Sequence, residues 1–220
     1  MGTNNESAIP ESNAEEKRAL ARSSIYGLFQ DALTYPDDEM RESLTSGELV
    51  ELMRKGLALA EVDFTPVEEW WPALREVGSA EDLAVEYTRL FDTGASGPPC
   101  PLYAGLYGGD RLKKMEEAVR FYNHFGLTTS EQQRELPDHL QTQLEFMHYL
   151  TYREAEALHA GTDAGPYRRA QRDFVGRQLD TWIPKLRERL EEHKANNFFL
   201  SLFNLLGDFL AWEAQRLKAY

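Results

Sequence analysis

Two short segments hold most of the residues with chemical potential in this chain. The first is Glu86-Tyr-Thr-Arg-Leu-Phe91, which runs into Asp92-Thr-Gly-Ala-Ser-Gly-Pro-Pro-Cys-Pro-Leu-Tyr103. The second is Glu135-Leu-Pro-Asp-His-Leu140, which opens a stretch ending in Leu144-Glu-Phe-Met-His-Tyr-Leu150. Asp138 and His139 stand at an expected helix start. Free N–H groups and the positive end of the helix dipole there favour a carboxylate anion and lower the pKa of an adjacent imidazole. Asp138 in that setting pairs with a cation from a partner, and His139 serves as hydrogen-bond donor or switch. The plainer account makes Asp138 a helix-start residue and His139 a surface residue. On residues alone the plainer account outweighs the other, because Asp is common at helix starts for structural reasons.

Other chemistry is sparse. His139, Glu145 and His148 do not form the His-Glu-x-x-His pattern that puts two ligands on one helical turn, and no Cys-x-x-Cys occurs, so no structural or catalytic metal is expected. Cys100 lies between Pro99 and Pro101 with no neighbouring cation to lower its pKa, so it reads as structural. Gly105-Leu-Tyr-Gly-Gly109 precedes a helix, as a phosphate loop does. It lacks the Gly-Lys-Ser/Thr ending and a preceding strand, and a flexible entry into a capped helix is the simpler account.

The elements that position these residues read as helical nearly throughout. Leu20, Ile25, Leu28, Phe29 and Leu33 mark one face of a helix over 14–33. Further helices are expected over 38–44, 48–60 and 67–77. Ser79 caps another that runs to Phe91, and Asp110 caps the helix that Gly126 ends. Pro137 is expected in the first turn of a helix reaching His159. Helices over 166–179, 184–194 and 197–218 complete the chain. Between Asp92 and Asp110 lies a long Pro/Gly-rich loop, and such loops in compact helical domains are usually functional or disordered. Leu102, Tyr103, Leu106 and Tyr107 argue against disorder. The fold expected is an all-α, single-domain bundle of roughly nine helices over 14–220, after a disordered tail at 1–13.

Composition narrows the partners. The chain has 220 residues, 42% hydrophobic and 28% charged, in keeping with one soluble domain. No apolar run approaches the roughly 20 residues that a membrane span needs, so no membrane insertion is expected. The N-terminal residues show no basic start or apolar stretch, so they are not read as a secretory signal. A net charge of −13 argues against nucleic acid and favours either a basic partner or simple solubility, with similar weight. The single cysteine excludes an internal disulfide and fits a reducing compartment.

The two segments together resemble the TorD/DmsD/NarJ family of redox-enzyme maturation chaperones. The features that carry the resemblance are Leu90-Phe91 at a helix end, the Pro98, Pro99, Pro101 and Tyr103 loop, and Pro137-Asp138-His139 at a helix start with Glu145 beyond it. Their order and spacing match over roughly residues 15 to 215. The stretches 98–109 and 121–127 are most similar to the branch serving type II enzymes of the dimethyl sulfoxide reductase group. One departure is Tyr103, where some members carry Trp.

The resemblance implies a TorD-like cytoplasmic chaperone, not an enzyme. It implies binding of a molybdoenzyme catalytic subunit, commonly through its twin-arginine signal peptide, and export delayed until cofactor insertion. No permanently bound cofactor is implied for the chaperone; the client carries molybdopterin guanine dinucleotide. The basic leader peptide would meet Asp138 and Glu145, with His139 beside them. Tyr87, Leu90, Phe91, Pro99, Pro101, Tyr103, Pro137 and Leu140 would line an apolar groove. Two rivals stay open: an adaptor that binds the mature subunit body without reading a leader, and a nucleotide-handling enzyme using Gly105–Gly109 with Asp138 and His139. A monomer or a domain-swapped dimer with the 92–109 loop as hinge is expected.

Overall fold

The computed structural model describes residues 11–64, 66, 68–76, 78–95, 97–128 and 135–220. Among them the chain is all-α. Ten α-helices are present: α1 (Glu11–Ala32), α2 (Asp38–Ser46), α3 (Glu48–Leu59), α4 (Trp70–Ala73), α5 (Ala80–Tyr87), α6 (Arg111–His124), α7 (Leu140–His159), α8 (Gly165–Phe174), α9 (Ile183–Glu192) and α10 (Asn197–Leu217). The only strand-like pairings among these residues are the isolated bridges Ala95↔Gly97 and Tyr103↔His139. No described helix is long and apolar enough to cross a membrane. The tail expected at 1–13 falls mostly outside the described residues, and α1 is already helical from Glu11.

Short polar side chains start several helices by accepting orphan backbone N–H groups. Asp37 accepts from Met40 N–H, and Asn196 accepts from Phe199 N–H. Ser79 and Asp82 form a reciprocal capping box on α5. Asp110 accepts from Lys113 N–H at the head of α6.

Three expected helices differ from the sequence reading. The one over 67–77 shrinks to the four residues of α4, between Pro66 and Gly78. Those over 79–91 and 166–179 each end in a π-helical turn, at Thr88–Asp92 and Val175–Leu179. A π turn accommodates one extra residue and frees backbone groups for other partners. The long helix begins at Leu140, three residues after Pro137, for a reason found at the bridge described below.

The core is one contiguous apolar cluster. α1 packs along α7, and α10 contributes Phe198, Phe199, Phe203 and Phe209, all buried. Tyr26 packs edge-on against Phe209 with ring centroids 5.1 Å apart. Trp182 is fully buried and its indole N–H donates to Gln143 Oε1 at 3.1 Å.

A buried ionic network crosses this core where α1, α7, α8 and α10 meet. Arg22 donates to Glu154 at 2.7 Å, to Glu213 at 3.3 Å and to Gln171 at 2.9 Å. Arg168 and Arg216 approach from the rim, Arg168 to Glu154 and Glu15, Arg216 to Glu213. Burial opposes ionisation of Glu154, but the guanidiniums of Arg22, Arg216 and Arg168 together outweigh it and hold the carboxyl down at about 2. Every carboxylate here faces a guanidinium, the condition under which buried charges are tolerated.

Candidate functional site

Both segments singled out from the sequence meet in space. Residues 102–104 and 138–140 run antiparallel through the Tyr103↔His139 bridge. Leu140 N–H donates to Leu102 C=O at 2.8 Å, and Ala104 N–H donates to Asp138 C=O at 3.0 Å. The prolines explain why this short pairing forms. Pro98, Pro99 and Pro101 hold the approach to Tyr103 out of helical geometry, and Pro137 biases Leu136 toward an extended backbone. Asp138 therefore stays outside the helix, and His139 becomes the cap, its backbone extended and its Nδ1 accepting Gln141 N–H at 3.3 Å. Because Nδ1 accepts, the proton of the neutral ring resides on Nε2.

His139 is buried rather than on the surface. Its Nε2 lies 3.8 Å from Glu135, and its ring meets the Tyr103 ring edge-on at 4.8 Å. Burial pushes the imidazole below its ordinary range, against the pull of Glu135 and Asp138. Tyr103 is half-buried and donates its hydroxyl to Glu135 at 2.6 Å; burial and the accepting carboxylate raise its pKa well above the usual phenol. The Pro137 carbonyl accepts the Tyr122 hydroxyl at 2.7 Å.

Asp138 is 0% exposed. Its Oδ2 accepts Gly105 N–H at 3.0 Å, while Oδ1 has no hydrogen-bond partner among the described residues. The carboxylate thus lies beneath the 3-10 turn Ala104–Leu106. Only glycine fits above it, since a Cβ on Gly105 would stand 2.3 Å from Arg111 Cγ and 3.0 Å from Asp138 Oδ2. With this turn in place Asp138 is out of reach of solvent.

The remaining sequence-derived residues form a second cluster. Leu90 and Phe91 lie in the π turn and are buried. Leu90 C=O accepts Cys100 N–H at 2.9 Å, which fastens the Pro-rich loop to the turn. Phe91 packs edge-on against Tyr87 and Phe199, both at 5.0 Å. Tyr87 donates its hydroxyl to Leu33 C=O at 3.2 Å, and burial holds that hydroxyl up at about 12. Pro101 and Leu140 are buried, Pro99 and Pro137 are half-buried, and Glu145 is exposed on α7. Burial pushes the Cys100 thiol up to about 11, as suits a structural cysteine. The structure thus brings Tyr103, Pro137, Asp138, His139 and Leu140 together. It keeps Tyr87, Leu90 and Phe91 as a wall facing the core, and leaves Glu145 more than a turn away along α7.

Sequence reasoning passed over the residues that present a surface here. Leu106 (41% exposed), Leu112 (67%) and Leu136 (42%) are large apolar side chains in or beside the bridged segments. Glu135 acts as the acceptor for Tyr103. The signals available were a leucine between glycine and tyrosine in the loop, and an acid four residues ahead of a histidine.

A model of the family described as nitrate reductase delta subunit matches residues 60–188, a span that contains both segments. The perchlorate reductase assembly chaperone protein of Dechloromonas aromatica (strain RCB) is 34% identical over 217 residues, covering 96% of this chain and 94% of that protein. The selenate reductase assembly chaperone protein of Thauera selenatis is 41% identical over 143 residues, covering 61% and 74% respectively. The dimethyl sulfide dehydrogenase assembly chaperone protein of Rhodovulum sulfidophilum is 34% identical over 175 residues, covering 76% and 68%. These relatives are named as assembly chaperones and not as catalysts. The match over most of the chain makes this protein a member of the nitrate reductase delta subunit family, among its assembly chaperones rather than among enzymes.

Proposed function

We propose that this protein is a cytoplasmic assembly chaperone for the catalytic subunit of a molybdoenzyme of the type II dimethyl sulfoxide reductase group. The observation that carries the reading is the near end-to-end similarity to a perchlorate reductase assembly chaperone. The chaperone binds the subunit through its twin-arginine leader and holds it until molybdopterin guanine dinucleotide is inserted, so that export comes after folding. A net charge of −13 supports attraction of a basic leader.

On this reading the bridged segments are the recognition element. Tyr103, Pro99 and Pro137, which are half-buried, offer side-chain surface to the apolar part of the leader, and exposed Glu145 meets its arginines. Leu90, Phe91 and Leu140 support that surface from behind. Asp138 joins only after the 104–106 turn lifts, and the unpartnered Oδ1 is then available to an arginine. A few aromatic and charged anchors supply most of the affinity in such recognition.

Titration with the twin-arginine leader of a catalytic subunit of a type II molybdoenzyme tests the proposal. Binding is expected with the native leader, and a loss of about tenfold or more when both arginines are changed. Equal affinity for the two leaders removes leader reading and favours an adaptor for the subunit body. Unchanged affinity in an Asp138→Ala, Tyr103→Ala double variant removes the site assignment.

A further inference from the structure

Arg111 is the first residue of α6, a position where the helix field disfavours a cation. Its neighbours, and not the helix, therefore hold it in place. The aliphatic stem lies against the 104–106 turn: a methyl on Gly105 would meet Arg111 Cγ at 2.3 Å and Arg111 Cβ at 3.0 Å. The guanidinium stands over the Tyr103 ring, 5.9 Å from its centre. This one side chain thus rests on both the Tyr103 ring and the turn that covers Asp138.

Asp138 lies on the same side of Gly105, its Oδ2 3.0 Å from that methyl position. The Arg111 guanidinium does not answer it, since Oδ1 has no hydrogen-bond partner among the described residues. Lys114, one turn further along α6, also approaches the 104–106 turn. Its ammonium lies 3.5 Å from Ala104 C=O and 3.4 Å from Thr181 Oγ1. Arg111 differs in placing a flat guanidinium on an aromatic face, which is the contact an arginine from outside would also make. The contact is weakly held. Arg111 is exposed, and 5.9 Å is close to the outer limit of about 6 Å for attraction between a cation and a ring.

We propose that Arg111 is an internal stand-in for a leader arginine and so a specificity-determining residue of the chaperone. In the free protein it occupies the Tyr103 face and holds the 104–106 turn over Asp138. A leader arginine takes its place on the ring, and the turn lifts as Arg111 leaves. On the ring one guanidinium replaces another, so that exchange is nearly even. The gain comes from Asp138 Oδ1, which Arg111 does not satisfy and the incoming guanidinium does. A leader without arginine has nothing to exchange and leaves Arg111 where it is. The inference rests on leader reading at the bridged segments.

Calorimetric titration of the full chain with a twin-arginine leader, and with the same leader carrying glutamine at both arginines, tests the inference. Arg111→Met keeps the stem on Gly105 and removes the guanidinium. It is expected to tighten the native leader about two- to fivefold, the size of an exposed cation–π contact, and to leave the glutamine leader unchanged. Lys113→Met makes the same change in charge about 200° around the helix from Arg111 and is expected to alter neither affinity. In nuclear magnetic resonance, the Arg111 Nε–H signal of the free protein should carry a ring-current shift that Tyr103→Leu abolishes. Saturation with the native leader is expected to abolish it too. A native leader that binds the wild-type chain but gains nothing in Arg111→Met overturns the inference. So does an equal gain in Lys113→Met or for the glutamine leader, or an Arg111 signal that stays in place at saturation. If the native leader binds neither the wild-type chain nor Arg111→Met, leader reading itself falls and the inference falls with it.

Discussion

Two buried polar clusters in this molecule are built on opposite terms. At the α1–α7–α8–α10 junction, Arg22 answers Glu154 and Glu213, and Gln171 fills the remaining valences. At the bridge, Asp138 meets one backbone N–H and leaves Oδ1 without a partner among the described residues. Both clusters are out of water, but only in the first does every carboxylate form an ion pair, even though the Tyr26 hydroxyl beside it has no partner among the described residues. A compensated cluster fixes one arrangement of four helices, because any displacement strands a charge. An uncompensated one stands closer in energy to an opened form, where its orphans find new partners. On these terms the junction is expected to be rigid and the bridge responsive, and the Tyr103 and Pro137-Asp138-His139 parts of the family resemblance lie at the bridge.

That contrast is open to attack from its strongest side first. Arg22→Ala leaves Glu154 and Glu213 buried without a cation, and a loss of about 3–5 kcal/mol in urea denaturation is expected. A loss under about 1 kcal/mol would mean the junction is no more rigid than the bridge. The same cluster sets an acid limit. Glu154 is held at about 2 against an ordinary 4.5. Its contribution, on the order of 3 kcal/mol, is complete above about pH 4.5 and disappears as pH falls toward 2. Glu154→Gln should therefore flatten the acid arm of a stability–pH curve.

At the responsive end, Gly105→Ala forces a methyl into Arg111 and Asp138, and a cost of about 2 kcal/mol is expected. Hydrogen exchange localises it: the amides of Ala104 and Leu140 should lose protection while those of α7 beyond Met147 keep theirs. Loss of protection throughout α7 would join the two regions into one cooperative unit. Tyr103→Phe removes the hydroxyl from Glu135, which is partly solvated, and about 1 kcal/mol is expected. The smallest effect concerns His139. Its folded pKa lies below the ordinary 6.5, so the unfolded chain takes up the proton first. Stability is then full above about pH 6.5 and declines as pH falls toward the lower folded value. His139→Gln should remove that slope, seen in melting temperatures across the window, and leave the deeper acid arm of Glu154 in place.

The sequence made one of these regions visible and hid the other. Helices were legible because apolar residues recur at helical spacing and because Ser79, Asp110 and Asn196 stand where caps belong. The bridge was legible in parts, as a Pro-rich loop and an Asp-His pair. Their contact was not, since one isolated pair of residues leaves no alternation to detect. The role of Asp138 was misplaced for a related reason. Helix-start rules give the cap to the aspartate, but pairing with the loop keeps it extended and hands the cap to His139. The junction left no trace at all. Arg22 and Glu154 lie 132 positions apart, Arg22 and Glu213 191 apart, and each charged residue alone resembles a solvated helix face.

The π turn at Thr88–Asp92 has a geometric consequence for how this segment tolerates change. Each residue in an α-helix advances the side chains by about 100°. The extra residue therefore sets the angular phase between the contacts on its two sides. Upstream, Glu86 accepts the Asn196 N–H at 2.9 Å at the head of α10; in the later part of the turn, Phe91 meets Phe199 and Leu90 C=O receives Cys100 N–H. Deleting one residue from the turn would restore regular winding and rotate one set of contacts away from the other, with every side-chain type preserved. At this place the count of residues is a stricter constraint than their identity.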